Sequence, residues 1–243
     1  MADSRGALEW RALREPDEAR ALTLVLEAST GTASLALLQG PQVVAESAVA
    51  MRGPEGERLM PAVVQLLNDA GETTASLARI ACGMGPGGFT SLRIAAAIGK
   101  GLAESLGVPL WGASSLALLA MGDAAAGADD VVAILDALRG EWYAQRFRRG
   151  ADGALAPDGP HALRDAEALA GMARAGARIV GVGGDRFAGG RTAVPVARDV
   201  VRLAEGVSWH PVDLDGWEPD YGRLAEAQVK WERAHGRALG TAE

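Results

Sequence analysis

From Leu22 onward the chain reads as short apolar runs separated by turn residues. Leu22–Leu26 is apolar apart from Thr23 and predicts a buried strand; Ser34–Leu38 and, after a Gly40-Pro41 turn, Val43–Val49 predict two more. Beyond the loop Gly53-Pro54-Glu55-Gly56, apolar residues at 59, 60, 63, 64, 66, 67 and 70 give Glu57–Ala70 a helical periodicity that Gly71 ends. Arg79–Gly83 predicts a strand, Thr90–Leu106 a helix closed by Gly107, and Val108–Trp111 a strand, so this half runs β-β-β-α-β-α-β. The second half repeats the grammar. Val131–Leu135 and Glu141–Arg148 predict strands, and after the turn-rich Gly150–Pro160 come a helix over Asp165–Ala175 and a strand over Ala177–Val182.

Details repeat as well as element types. Leu26-Glu27-Ala28 with Gly31 recurs as Leu135-Asp136-Ala137 with Gly140, all offset by 109, and Gly83, Gly85 and Phe89 recur as Gly181, Gly183 and Phe187, offset by 98. Together these predict a duplicated α/β unit with a three-strand antiparallel start, in a two-lobed actin/sugar-kinase-like, ribonuclease H-like arrangement. The expected division is a charge-dense extension over 1–20, a first lobe over 21–112 and a second over 113–220, with a C-terminal helix near 221–236 packing back on the first lobe. The extension is broken by Pro16 and offers Leu8, Trp10 and Leu13 as anchors; it reads as mobile or weakly docked, or as a short docking helix over Leu8–Arg14.

In such a fold the first strand of each lobe would end in a carboxylate and a glycine turn. Glu27 with Ser29, Thr30 and Gly31, and Asp136 across the lobes, could hold Mg²⁺ on nucleotide phosphates. Alternatively each acid binds N–H groups of its own turn. The strongest local signal is Gly83-Met84-Gly85-Pro86-Gly87-Gly88-Phe89-Thr90-Ser91-Leu92-Arg93-Ile94. It fits G-x-G-x-x-G between a strand and a helix, but it follows the fourth strand, Pro86 removes an N–H, and no acid follows the next strand. A P-loop fails because no G-K-[ST] follows. The remaining reading is a tight turn in which Gly83, Gly85, Gly87 and Gly88 allow close packing, with Thr90 or Ser91 capping the helix.

Composition narrows the chemistry. Of 243 residues 49% are hydrophobic but only 5% aromatic, so a full core must rest on Ala, Val and Leu. One cysteine excludes an internal disulfide framework and, with three scattered histidines (His161, His210, His235), a four-ligand zinc site; cytoplasm is the expected compartment. Cys82 sits in an apolar strand with no obvious histidine partner, which favours a buried thiol over a nucleophile. No apolar run is long enough to span a membrane and no signal pattern begins the chain. The net charge of −7 argues against a basic face gripping nucleic acid. The arginines are spread through segments that are each mildly acidic.

The stretch GPGGFTSLRI resembles the GPGSFTGLRI signature of the TsaB (YeaZ) family, the dimerisation subunit of the bacterial complex that makes threonylcarbamoyladenosine next to the tRNA anticodon. The resemblance extends to LTLVLEASTGTASLALL, GERLMPAVVQLLNDAG, ILDALRGEWYAQRF and EPDYGRLAEAQVKWE, collinear over 22–232. Departures are Glu27 for the family's Asp, Gly88 for Ser, Ser91 for Gly, Leu138 for Arg and Gly222 for Leu. The resemblance implies a non-catalytic scaffold with no cofactor. It would act with a TsaD-like catalytic paralogue and a TsaE-like ATPase, form a homodimer when alone, and meet tRNA through the complex. The paralogue's metal-binding His-x-x-x-His pair has no counterpart here, where the first lobe lacks histidine, so catalytic and metal residues are expected to be none. The alternative is an ATP-dependent small-molecule kinase of the same fold using Glu27 and Asp136; a weaker third is a glycoprotease-like hydrolase, which the missing histidines oppose.

Function then falls to helix faces. On Glu57–Ala70 the apolar residues form two adjacent stripes, 59/63/66/70 and 60/64/67, more than one sheet face needs. On Thr90–Leu106 the charged Arg93, Lys100 and Glu104 share a stripe with Ala97, surrounded by small residues. The expected partner interface is a helix bundle through Leu59, Val63, Leu66, Arg93, Ala97, Lys100 and Glu104; the alternative is burial within the lobe.

Overall fold

The computed structural model describes residues 22–51, 58–151, 153–203 and 208–222. The predicted extension over 1–20, the 53–56 loop, His235 and all but the start of the 221–236 helix lie outside them.

The first half forms β1 (Leu22–Glu27), β2 (Thr32–Gln39), β3 (Gln42–Ala50), α1 (Leu59–Asp69), β4 (Leu77–Gly83), α2 (Phe89–Leu106) and β5 (Leu110–Ala113). The second forms α3 (Ser115–Met121), β6 (Asp130–Asp136), β7 (Glu141–Arg149), β8 (Leu155–Pro157), β9 (Ala162–Asp165), α4 (Ala166–Arg174) and β10 (Arg178–Gly181), and the chain returns as β11 (Trp209–Pro211).

The first sheet has order β11-β5-β4-β1-β2-β3, with β1-β2-β3 antiparallel and β1, β4 and β5 parallel. The second has order β10-β6-β7-β8, with β10 parallel to β6 and β9 also pairing β7. Its third strand is thus split into β8 and β9, either side of Asp158-Gly159-Pro160. The shared order, first strand central and a parallel fourth beside it, is the duplicated ribonuclease H-like core of the actin/sugar-kinase-like fold. Against the expected division, β11 belongs to the first sheet although it follows the second lobe.

Local chemistry explains the helix ends. Gly107 sits at φ 64° and Val108 N–H donates to Ala103 O at 3.0 Å, closing α2 as its sequence predicts. Asp165 caps α4 by accepting from Ala168 N–H at 2.8 Å, with Glu167 in the first turn and Arg174 in the last. Helix α2 lies close on β4 because Gly99 carries no Cβ, which would overlap the Cys82 sulfur.

One core packs α1 and α2 on the first sheet through Leu24, Leu26, Leu35, Leu37, Ile80 and Cys82. A second joins α3 to β6 and β7, and a third bridges the lobes, setting Val25, Ala36, Leu38, Ala81 and Trp111 against Leu118, Ala197 and Val200. Among the described residues no helix is long and apolar enough to cross a membrane.

Candidate functional site

Strand β1 ends on an acid that is only 2% exposed. Glu27 Oε1 accepts from Ser29 N–H at 2.7 Å and Oε2 from the Ser115 hydroxyl at 2.8 Å. Ser115, at the start of α3, also accepts from Gly85 N–H at 3.1 Å, so one hydroxyl joins the acid, the glycine loop and the second lobe. Burial pushes the Glu27 carboxyl above the ordinary carboxylate range, and the polar groups of Ser29 and Ser115 pull it partly back.

The glycines serve this cluster. A Cβ on Gly83 would overlap the Glu27 carboxylate, and one on Gly87 would overlap the Ser29 carbonyl. Gly88 N–H donates to that carbonyl at 2.8 Å. Gly85, at φ +84°, lies against the Asp220 carbonyl, and Asp220 N–H donates to Met84 O at 2.7 Å. The loop is therefore occupied by the chain's own backbone on both sides. The capping expectation is corrected: Gly88 is the N-cap of α2, without a side-chain cap, and Thr90 and Ser91 fall inside the first turn.

Thr30 and Gly31 lie at the rim. The Thr30 hydroxyl donates to Thr32 O at 2.8 Å, and Gly31 O accepts from Met51 N–H at 3.0 Å. In the second lobe Asp136 Oδ1 accepts from Leu138 N–H at 2.8 Å, the same two-residue reach as Glu27 to Ser29. Each acid thus binds its own turn, but Asp136 is exposed where Glu27 is buried. Leu138 and Arg139 adopt φ of 65° and 58°, unusual for residues with a Cβ. The structure gathers Glu27, Ser29, Gly83, Gly85, Gly87 and Gly88 into one cluster, and among the described residues no hydrogen bond joins that cluster to Asp136. Both Glu27 oxygens accept hydrogen bonds from within the chain.

Residues 217–222 form a strap between the lobes. Lys100 Nζ donates to Trp217 O at 2.9 Å, and the Tyr143 hydroxyl donates to Tyr221 O at 3.2 Å. Gly222, at φ +68°, lies on the Tyr143 ring, and His161 Nε2 is 3.3 Å from Asp220 Oδ2. Tyr221 packs on Phe89 with centroids 4.7 Å apart, and the Arg93 guanidinium lies 4.8 Å from the Phe89 centroid and 5.9 Å from that of Tyr221.

The predicted interface is partly corrected. Leu59, Val63 and Leu66 are 0%, 0% and 3% exposed and face the lobe's own core. Leu67 of the second stripe is buried with them, and of that stripe only Val64, at 45% exposure, faces outward, beside the half-buried Met60. On α2, Arg93, Ala97 and Glu104 are exposed, whereas Lys100 is half-buried and held by the strap. Burial pushes the Cys82 thiol up to about 12, with the Glu27 charge adding to it, so it is a packing group. Among the described residues no group of three His, Cys, Asp or Glu side chains is placed to hold a metal.

Sequence reasoning missed Ser115, Tyr143 and Tyr221. Ser114-Ser115 ahead of an apolar run carried a helix-start signal, but a bond to Glu27 across 88 positions leaves no local trace.

A family model described as TsaD, tRNA N6-adenosine threonylcarbamoyltransferase, matches residues 55–174. The tRNA threonylcarbamoyladenosine biosynthesis protein TsaB of Bacillus subtilis (strain 168) is 32% identical over 223 residues, 86% of this chain and 96% of that protein. Its counterpart in Escherichia coli (strain K12) is 33% identical over 131 residues, 54% of this chain and 56% of its own. Among solved structures, YeaZ from Pseudomonas aeruginosa superposes with a TM-score of 0.61 at 28% identity, covering 75% of this chain and 90% of its own.

Proposed function

The chain belongs to the TsaB (YeaZ) family, and from that membership we propose that it takes part in tRNA threonylcarbamoyladenosine biosynthesis as a non-catalytic scaffold. It works in the cytoplasm beside a TsaD-like catalytic paralogue and a TsaE-like ATPase, and associates with itself when they are absent. The tRNA is reached through the complex. One observation carries the scaffold reading: the turn and glycine loop where a nucleotide would lie are filled by Ser29, Ser115 and Asp220, while the α1/α2 face stays open. That face presents Met60, Val64, Arg93, Ala97 and Glu104, with few charges to desolvate.

Depletion of the protein with complementation tests the pathway. Threonylcarbamoyladenosine in total tRNA, read by nucleoside mass spectrometry, should fall and be restored by the wild-type gene. Val64→Glu should keep the wild-type circular dichroism but lose capture of the purified paralogue. Val63→Glu should lose the fold itself, because it places a carboxylate in the core. Unchanged modification on depletion would remove the pathway assignment. Tight Mg-ATP binding by the isolated chain would instead favour the kinase that uses Glu27 and Asp136.

A further inference from the structure

The open helix face ends, at the start of α2, in a group that its small residues do not explain. Phe89 is 40% exposed, and Arg93, four residues on, shares its side of the helix. The guanidinium rests over the Phe89 ring and reaches Tyr221 of the strap, which itself packs on Phe89. Among the described residues no carboxylate lies within ion-pair distance of Arg93. The other cation of α2, Lys100, is held by the carbonyls of Trp217 and Asp215. Among the described residues Arg93 is thus the exposed cation of α2, held by two rings and with no carboxylate in ion-pair reach.

We propose that Phe89, Arg93 and Tyr221 form the anchor of the docking surface, and that its occupant is a partner helix bearing an aspartate or glutamate opposite Arg93. The proposal rests on the helix-face reading above and adds the chemistry of what sits there. Three physical arguments support it. A guanidinium already stacked on aromatic rings loses little freedom when it is gripped, so more of the contact appears as affinity. Its planar fork takes a carboxylate through two parallel hydrogen bonds, which a guanidinium with no carboxylate in ion-pair reach among the described residues invites. Farther along the same helix, Ala97 and Gly101 are exposed, and a Cβ on Gly101 would meet nothing within 4 Å, so a second helix can approach there and bring its side chains to Arg93. Anchors that combine arginine with aromatic side chains dominate binding in many interfaces.

The test is calorimetric titration of the full chain with the purified TsaD-like paralogue of the same organism, at low and high salt. Arg93→Gln and Phe89→Ala should each weaken binding by at least about tenfold. Wild-type affinity should fall with salt, and Arg93→Gln should flatten that dependence. Circular dichroism and thermal midpoint should be unchanged for Arg93→Gln; if they are not, Phe89→Ala and the wild-type salt dependence decide. If Arg93→Gln binds like wild type while Ala97→Glu does not, the anchor is wrong and the helix face stands. If Ala97→Glu and Val64→Glu both bind like wild type, the helix face is wrong as well. A wild-type chain that binds only a second copy of itself overturns the assigned occupant.

Discussion

Ser115 offers the most direct test of how the turn is held. Its hydroxyl donates to Glu27 Oε2 at 2.8 Å and accepts from Gly85 N–H at 3.1 Å, and the residue is fully buried. Ser115→Ala deletes one oxygen and breaks both bonds. The Gly85 amide is left without that acceptor, at a cost of about 1–3 kcal/mol, and the buried carboxyl loses a donor worth about 1.5–3 kcal/mol if it is ionised. The expected loss is about 2.5–6 kcal/mol, a large part of the stability of a protein this size. Urea unfolding followed by circular dichroism measures it, with an unchanged slope showing that the unfolded state is not what moved. Because both bonds meet at one acid, Ser115→Ala should cost less in a Glu27→Gln background. A loss below about 1 kcal/mol, or the same loss in both backgrounds, would refute the assignment of Ser115 as the tie between acid and loop.

Two further outcomes follow from the same region. Burial holds the Glu27 carboxyl above its ordinary value of 4.5, so the folded chain binds that proton more tightly than the unfolded chain. Stability therefore falls as pH rises from about 4.5 through the folded-state value, and Glu27→Gln should gain on wild type across that window and not below it; a pH-independent difference in urea midpoints would be the wrong result. Gly222→Ala places a methyl group on the Tyr143 ring at a φ of +68°, which costs about 1–3 kcal/mol. Amide exchange at Asp220 and Gly222 should then accelerate by at least about tenfold, and unchanged protection would mean the strap is not seated by that contact.

Much of this was legible in the sequence, for identifiable reasons. The strands β1, β2, β6 and β7 announce themselves because their apolar runs end at turn residues, and the 109- and 98-residue offsets fall on equivalent positions of the two sheets. Gly85 and Gly183, paired by the second offset, are both left-handed, at φ 84° and 79°. Helix α3 escaped notice because Ser115–Ala120 is buried on every side, so its sequence carries no polar stripe. Both stripes of α1 are apolar, and only the position of the sheet sends Leu59, Val63, Leu66 and Leu67 to the core and leaves Val64 outside. β8, β9 and β11 span three or four residues each, too few for a period to show. Ser115, Tyr143 and Tyr221 owe their roles to contacts across the chain, which no local window contains.

The return of β11 to the first sheet changes how the two halves relate. The chain leaves that sheet at Ser114 and re-enters it at Ser208, and the two points are joined by a hydrogen bond from Ser114 N–H to Ser208 O at 3.0 Å. Topologically, the second lobe is a guest inserted into a host whose own polypeptide resumes where it broke off. Adjacent entry and exit points are the geometry that tolerates insertion or excision of a whole unit. Cutting the guest out would not leave a finished host, however, because Val25, Ala36, Leu38 and Ala81 would lose the cover of Leu118, Ala197 and Val200. The two copies of the fold are equal in design but not in standing: one can be spliced out at a single seam, and the other keeps an apolar wall built to receive it.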